Sequence, residues 1–227
     1  MSTPEEISAA PVVQRPWDAR LARRLVAPLK DSRITPNHLT TIRLGVGLCA
    51  AAAFLPGTYA WSNLAALFLI LSNFLDHTDG ELARISGKTS RMGHLYDLAS
   101  DAAVTVLLFI AIGIGVGAKP GIAMQVPPAL LGLVAGCAIA LIFYLRMRIE
   151  GMAGKAASQQ ASLGGFETED VLYLLPLVTL SNGVVPFLLA AAVCAPLFAV
   201  WVIIDFRRVL LRPGQRLSTQ QTLRETR

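Results

Sequence analysis

Six apolar runs alternate with polar segments along the chain. They occupy residues 44–56, 59–75, 102–118, 126–145, 171–180 and 184–205. Several of these runs come close to the ~20 residues that a helix needs to cross the hydrocarbon core of a bilayer. The pattern predicts an all-α integral membrane protein with six transmembrane helices. The fifth run is the shortest and contains Pro176, so the extent of that helix depends on the residues that flank it.

A different periodicity precedes the first run. Apolar residues recur at every fourth position, at Trp17, Leu21, Leu25 and Leu29, while arginines fill much of the remaining surface. This pattern is typical of an amphipathic helix that lies in the membrane interface with its apolar face down. The alternative is a solvated helix that packs against the bundle. The following "ITPNHLT" predicts a turn, with Asn37 as the cap of a helix that begins near His38.

These patterns divide the chain into four parts. We expect a flexible N-terminal tail over residues 1–15, an interfacial helix over 16–33, a six-helix transmembrane domain over 34–211, and a C-terminal tail over 212–227.

Composition and charge support a membrane location and add an orientation. Hydrophobic residues make up 54% of the chain and charged residues only 15%, which is outside the range of soluble domains. Apart from Arg43 and Lys119, the lysines and arginines lie before the first run, between the second and third, at or after the end of the fourth, and after the sixth. Positive residues are retained on the cytoplasmic side, so this distribution predicts an inner or plasma membrane protein with both termini in the cytoplasm. The net charge of +5 indicates contact with anionic lipid rather than with nucleic acid.

Four aspartates lie near the boundaries of the second and third apolar runs. Asp76 and Asp79 are three residues apart at the end of the second run, and Asp97 and Asp101 are four apart at the start of the third. At helical spacing each pair shares one face. Because the intervening loop is short, we expect the two helices to be antiparallel neighbours whose acidic faces meet near the cytoplasmic membrane boundary.

Carboxylates grouped in a partly dehydrated site repel one another and need a counter-charge. An all-oxygen set without cysteine is typical of hard divalent cations, so we expect Mg²⁺ or Mn²⁺, and two such ions would neutralise the four carboxylates. Two ions held between carboxylates can clamp a diphosphate and stabilise its leaving group during phosphoryl transfer. On the helix of the first pair, Gly80 and Ala83 leave room for a ligand to approach the backbone, and Arg84 can bind a phosphate oxygen.

The spacing of these residues reproduces a known signature. Residues 76–101 read D-x2-D-G-x2-A-R-x8-G-x3-D-x3-D. This segment resembles the signature of the CDP-alcohol phosphotransferases, also called CDP-alcohol phosphatidyltransferases. The resemblance implies transfer of a substituted phosphoryl group from a CDP-linked donor to an alcohol, with release of CMP, in phospholipid or polar-head-group synthesis. It also implies a homodimer whose active-site cavity faces the cytoplasm and opens sideways to lipid.

Roles for individual residues follow from the same resemblance. By position, Asp76, Asp79 and Asp97 would hold the metals, and Asp101 would be the general base that also touches the second metal. Seven further residues match positions that line the family's donor site: Asn37, Thr40, Gly80, Ala83, Arg84, Ser90 and Gly93.

Two charged clusters outside the signature have open interpretations. Arg146, Arg148 and Lys155 follow the fourth run, where they either anchor the helix to the membrane surface or dock an acceptor that bears a phosphate or carboxylate. Before the fifth run lie three acids that could recognise a polyol or an amine, or cap a helix: Glu167, Glu169 and Asp170.

The residues alone also leave two functional alternatives. A membrane transporter with a carboxylate ion site would show the same acidic pairs, but it has no reason to bind a cytidine nucleotide. Within the family, the donor could be CDP-diacylglycerol with a small soluble acceptor, or a CDP-choline or CDP-ethanolamine type of donor with a lipid acceptor.

Overall fold

The computed structural model describes residues 17–122, 124–153 and 174–210, and every regular element within these ranges is a helix. The α-helices are α1 (Trp17–Val26), α2 (Pro36–Phe54), α3 (Tyr59–Ser86), α4 (Arg91–Gly117), α5 (Pro128–Ala153), α6 (Leu175–Leu180) and α7 (Val184–Leu210). A short 3-10 helix, Ala27–Leu29, follows α1. The predicted all-helical class is confirmed. Both predicted tails, Lys155, and the acids of residues 167–170 lie outside the described residues.

Three of the described helices are long and apolar enough to cross a membrane. They are Arg91–Gly117, Pro128–Ile149 and Val184–Arg208, which correspond to the third, fourth and sixth predicted spans. Helices α2 and α3 coincide with the first two, but each has a polar end that extends beyond its apolar run. At the fifth predicted span the described residues form only the six-residue α6. The count of six spans stays a prediction.

The outer surface of the bundle is apolar. Large aliphatic side chains are exposed on several helices, among them Leu67 on α3, Leu177 on α6 and Leu197 on α7. Beneath this surface, one buried cluster joins α2, α3 and α4 around Phe54, Leu69 and Leu108. A soluble protein rarely exposes so much contiguous apolar surface, whereas a bilayer accommodates it without cost.

Helix α1 is shorter than the predicted segment of residues 16–33. It ends at Val26, and Pro28 follows within the 3-10 turn. Ala22 and Val26 are buried where α1 packs against α3, and Leu21 and Leu25 are exposed on another side. The exposed leucines belong to the predicted membrane-facing stripe, so a position in the interface remains the proposal for α1.

The start of α2 differs from the prediction. The helix begins at Pro36, with Thr35 rather than Asn37 at the N-cap position. The Thr35 N–H donates to His38 Nδ1 at 3.2 Å, which satisfies one of the backbone donors at the helix start. Proline suits the first helical position because it has no N–H to satisfy, and this places Asn37 within the first turn.

The two acidic helices were expected to be antiparallel neighbours; their acidic residues do approach one another, but α2 packs against both helices. Both α3 and α4 pack extensively against α2 rather than against each other. The three helices approach closely at Gly47 of α2, where an added Cβ would lie 2.7 Å from Val104 of α4 and 3.2 Å from Ser72 Oγ of α3. The absence of a side chain lets α2 fit between its neighbours. Helix α4 then packs on α5, and α5 on α7.

Candidate functional site

Three of the four signature aspartates converge at one end of the bundle. Asp76 comes from the later part of α3, and Asp97 and Asp101 come from the first turns of α4. Each offers a carboxylate oxygen, and these oxygens all lie within 4.8 Å of one another. The side chains are 43%, 35% and 45% exposed, so a ligand can reach them from solvent. The predicted meeting of the acidic pairs is thus confirmed for these three.

Arg43 of α2 lies among these carboxylates. Its Nη1 forms ion pairs with Asp76 and, at 2.8 Å, with Asp101 Oδ1. Its Nη2 donates to Asp97 Oδ1 at 2.9 Å and to the Asp97 carbonyl at 3.3 Å. The side chain is only 4% exposed. One guanidinium therefore links an acid of α3 to two acids of α4.

Arg43 was assigned no role from the sequence, where it lies immediately before the first apolar run. A signal was available, because an arginine beside an apolar membrane segment must find an acidic partner or a wet cavity. Arg43 is also three residues from Thr40 and so shares its side of α2.

Asp79 is separated from the cluster of three. It is buried, with 6% exposure, and its Oδ2 accepts a hydrogen bond of 2.8 Å from the Thr40 hydroxyl. Thr40 is also buried. The hydrogen bond joins α3 to α2 and directs one oxygen of this carboxylate toward α2. The assignment of Asp79 as a metal ligand stays a prediction.

The three acids and Arg43 line a cavity of about 220 Å³. His77 and His94 also line it. Away from the acids the wall is mostly apolar and comes from α3, α4 and α5: Leu69, Leu98, Ala102, Val104, Leu108, Ala140, Phe143 and Met147. Three polar residues also line it: Ser72, Asn73 and Thr105. The cavity thus combines a charged end with a wall that suits hydrocarbon.

Six of the seven predicted donor residues fall into two groups outside that cavity wall, and the seventh, Thr40, is bonded to Asp79. Asn37, Ser90 and Gly93 lie together where α2 and α4 begin, since a Cβ on Gly93 would be 2.8 Å from Asn37 Oδ1 and 3.0 Å from Ser90 Oγ. Ser90 caps α4 by accepting a hydrogen bond from the Gly93 N–H. Its hydroxyl thereby fixes the start of the helix that carries Asp97.

The second group follows Asp79 on α3. Gly80 has open space where a Cβ would be, and Ala83 is half-buried. Arg84 is exposed and forms an ion pair with the buried Glu81. It also lines a basic groove together with Arg23 and Lys30.

Two of the predicted acceptor residues, Arg146 and Arg148, lie on α5 in the described part of the chain. The Arg146 guanidinium sits over the Phe198 ring of α7, 5.9 Å from its centroid, and Arg148 is exposed. Phe143 and Met147 of the same helix line the cavity, and neither arginine does. A role of these arginines in acceptor binding stays a prediction.

The three carboxylates fit a hard divalent cation as metal ligands. Three carboxylate oxygens within 4.8 Å, from two helices and open to solvent, provide the all-oxygen ligands that Mg²⁺ and Mn²⁺ prefer. Arg43 offsets only part of their charge, so the site retains an excess of negative charge that attracts a cation.

Comparison with known proteins agrees with this interpretation. The sequence model of the CDP-alcohol phosphatidyltransferase family matches residues 33–206. The chain is 29% identical to a bifunctional IPC transferase and DIPP synthase of Rubrobacter xylanophilus over 147 residues, which are 65% of this chain and 30% of that protein. It is 35% identical to an archaetidylinositol phosphate synthase of Pyrococcus horikoshii over 102 residues, 44% of this chain and 52% of that one. The chain therefore spans about half or less of the length of these relatives.

Two solved structures share the fold. Phosphatidylinositol phosphate synthase of Mycobacterium tuberculosis in complex with manganese and citrate superposes with a TM-score of 0.53 at 19% identity, covering 87% of this chain and 90% of that one. The same protein with CDP-DAG bound gives a TM-score of 0.51 at 21% identity, covering 87% and 96%. Together with the family match over most of its length, the acidic signature shows that the chain belongs to the CDP-alcohol phosphatidyltransferase family.

Proposed function

We propose that this protein transfers a substituted phosphoryl group from a CDP-linked donor to an alcohol and releases CMP. The observation that carries the proposal is the convergence of Asp76, Asp97 and Asp101 within 4.8 Å on one cavity. This cavity also has an apolar wall, as expected if one of the two substrates is a lipid. The manganese and CDP-DAG complexes of the mycobacterial synthase support the same ligand classes.

The roles we assign divide the four aspartates. Asp76, Asp79 and Asp97 would hold two divalent ions, Mg²⁺ or Mn²⁺, and Asp101 would also contact the second ion. Bound there, the ions would neutralise the donor diphosphate and stabilise CMP as a leaving group. Asp101 would take the proton from the attacking hydroxyl, because an alcohol is a poor nucleophile near neutral pH. Its half-exposed position on the cavity wall gives it access to an incoming acceptor.

The donor's cytidine part would lie against the residues next to the acids. Asn37, Ser90 and Gly93 form one compact group at the start of α4, and Gly80 and Ala83 leave room along α3. Thr40 would act through Asp79, to which it is hydrogen-bonded. Arg84 lies beside the basic groove, where it can bind a phosphate oxygen.

Orientation and assembly complete the proposal. The acids lie at the end of the bundle where α1 and Lys88 also lie, and Lys88 Nζ donates to the carbonyl of Ser32 at 2.7 Å. The concentration of basic residues at this end supports an active site that faces the cytoplasm. We also propose a homodimer, which chemical crosslinking in native membranes would detect.

A panel assay tests the function. The purified protein is incubated with Mg²⁺, CDP-diacylglycerol or CDP-choline as donor, and inositol phosphate, glycerol phosphate, serine or diacylglycerol as acceptor, and products are followed by mass spectrometry. We expect CMP and one new phosphodiester from a single pairing. If no cytidine-dependent product appears across the panel, and calorimetry detects no Mg²⁺-dependent binding of CMP, the proposal is wrong.

A further inference from the structure

Arg43 has an unusual place for a residue of the first long helix. Its guanidinium is buried, yet it lies on the wall of the cavity and contacts three carboxylates that come from two other helices. The contacts are to Asp76, Asp97 and Asp101, the same three residues whose oxygens form the candidate metal cluster.

This placement sets up a competition. A carboxylate oxygen that accepts a hydrogen bond from Arg43 has a lone pair engaged, and the fixed positive charge repels a divalent ion at the same group of oxygens. The guanidinium does not relieve this repulsion by losing its proton, because arginine stays charged in proteins. Its own backbone is held in place as well, since the Ser72 hydroxyl donates to the Arg43 carbonyl at 3.2 Å.

The same charge has the opposite effect on an anionic ligand. Four carboxylates and two divalent ions sum to zero, so the addition of one guanidinium makes the loaded site positive. A positive, partly dehydrated site favours a diphosphate. The fixed cation therefore weakens metal binding and strengthens donor binding.

We propose that Arg43 is a built-in counter-charge of the acidic site, which lowers its affinity for divalent metal and raises its affinity for the anionic donor. Arg43 is thus a positioning and tuning residue rather than a catalytic one. This inference rests on the proposed function, because it requires that the three carboxylates hold a divalent ion.

The test uses the full chain in detergent and Mn²⁺ alone as the probe, with free Mn²⁺ measured by electron paramagnetic resonance. Arg43→Gln should bind Mn²⁺ about tenfold more tightly than the unmodified protein, because the loss of about 1.4 kcal/mol of repulsion corresponds to this factor. Arg43→Lys keeps the charge and should stay within about threefold, since most of the Coulomb term remains. Arg207→Gln is the matched control, because it removes an exposed arginine at the end of α7 and should leave Mn²⁺ affinity unchanged.

A second measurement separates tuning from structural damage. In Arg43→Gln, the KM for the CDP-linked donor should rise while the Kd for Mn²⁺ falls. A distorted site would instead bind both the donor and Mn²⁺ more weakly. In EDTA, the Tm of Arg43→Gln should be lower than that of the unmodified protein. Addition of Mn²⁺ should raise the Tm of the variant by more than that of the unmodified protein, because the metal replaces the missing charge. If Arg43→Gln does not fold, Arg43→Met keeps the length of the buried side chain without its charge and should show the same Mn²⁺ effect.

The outcomes are distinguishable. Equal or weaker Mn²⁺ binding by the folded Gln or Met variant would overturn the role of Arg43 and leave the proposed function intact. A Lys variant that binds Mn²⁺ as tightly as the Gln variant would overturn the charge argument. Failure of the unmodified protein to bind Mn²⁺ at all would contradict the metal site and, with it, this inference.

Discussion

The Thr40 hydroxyl donates a 2.8 Å hydrogen bond to Asp79, and both residues are buried where α2 packs against α3. This contact distinguishes Asp79 from the other three signature aspartates, which are more exposed and lie around Arg43. The hydroxyl supplies a partner for a carboxylate that would otherwise be buried without one on that side.

Replacement of Thr40 by valine tests this relationship. The substitution keeps the shape of the side chain but removes the donor, so we expect the free energy of unfolding to fall by about 1–3 kcal/mol, the cost of a buried group left without its hydrogen bond. Thermal unfolding in detergent measures the change. Mn²⁺ binding should weaken if Asp79 is a ligand, since its orientation is no longer fixed.

Two variants control this experiment. Thr40→Ser retains the hydroxyl and should recover most of the stability. Thr41→Val makes the same chemical change at the next, exposed position, where the hydroxyl donates to the Asn37 carbonyl at 2.8 Å and lies 3.0 Å from the Tyr96 hydroxyl. Because water can replace these exposed contacts, this variant should cost less than Thr40→Val. Equal losses for Thr40→Val and Thr41→Val would show that the Asp79 contact contributes nothing specific.

Asp101 is expected to be essential for turnover. Asp101→Asn keeps the size of the side chain but removes the base, so CMP release should fall by about 10²- to 10⁴-fold, the usual contribution of a positioned base. Binding of the CDP-linked donor, measured by calorimetry, should change little. CMP release at the unmodified rate would contradict the role of Asp101 as the base.

The sequence predicted the acids well because their spacing is a local property. Asp76, Asp97 and Asp101 follow from helical periodicity and the signature, and the structure brings them together as expected. The contributions of α2 could not be predicted in the same way. Thr40 was predicted only through the family resemblance and Arg43 was not assigned a role, because the packing of α2 against both α3 and α4 at Gly47 leaves no periodic signal in the chain.

The start of α2 shows a different limit. Thr35, Asn37 and Pro36 are each acceptable near a helix start, and sequence reasoning chose Asn37 as the cap. The structure instead uses Thr35, with proline at the first helical position. The residue at which a helix begins depends on small differences in capping between neighbouring residues. The existence of a long apolar helix does not depend on such differences.

Close packing of α4 and α5 depends on Gly132. A Cβ at this position would overlap the backbone carbonyl of Phe109, which cannot move without a shift of α4. Gly132→Ala should therefore lower the free energy of unfolding by about 1–3 kcal/mol, as overpacking does. Because α5 supplies Phe143 and Met147 to the cavity wall, turnover should fall as well.

Gly45→Ala is the matched control for Gly132→Ala. Apart from the neighbouring backbone of its own helix, no described atom lies within 4 Å of an added Cβ at Gly45, which is an exposed position of α2. Alanine favours helix more than glycine does, so this variant should be neutral or up to about 1 kcal/mol more stable. Unfolding temperatures that fall equally for both variants would show that the α4–α5 contact is not tightly packed at Gly132.

The two arginines near the end of α5 should respond differently to substitution. Arg148 is exposed and free to meet an acceptor that carries a phosphate, whereas Arg146 lies over Phe198 of α7. We expect Arg148→Gln to raise the KM for the acceptor by about tenfold, as loss of one charge-assisted hydrogen bond does, and to leave the KM for the donor unchanged. Arg146→Gln should instead lower the unfolding temperature, because it removes a cation–π contact worth about 0.5–1 kcal/mol. Steady-state kinetics with each substrate varied in turn measures both KM values. Equal increases for donor and acceptor in Arg148→Gln would mean that this residue anchors the helix to the membrane surface instead of binding the acceptor.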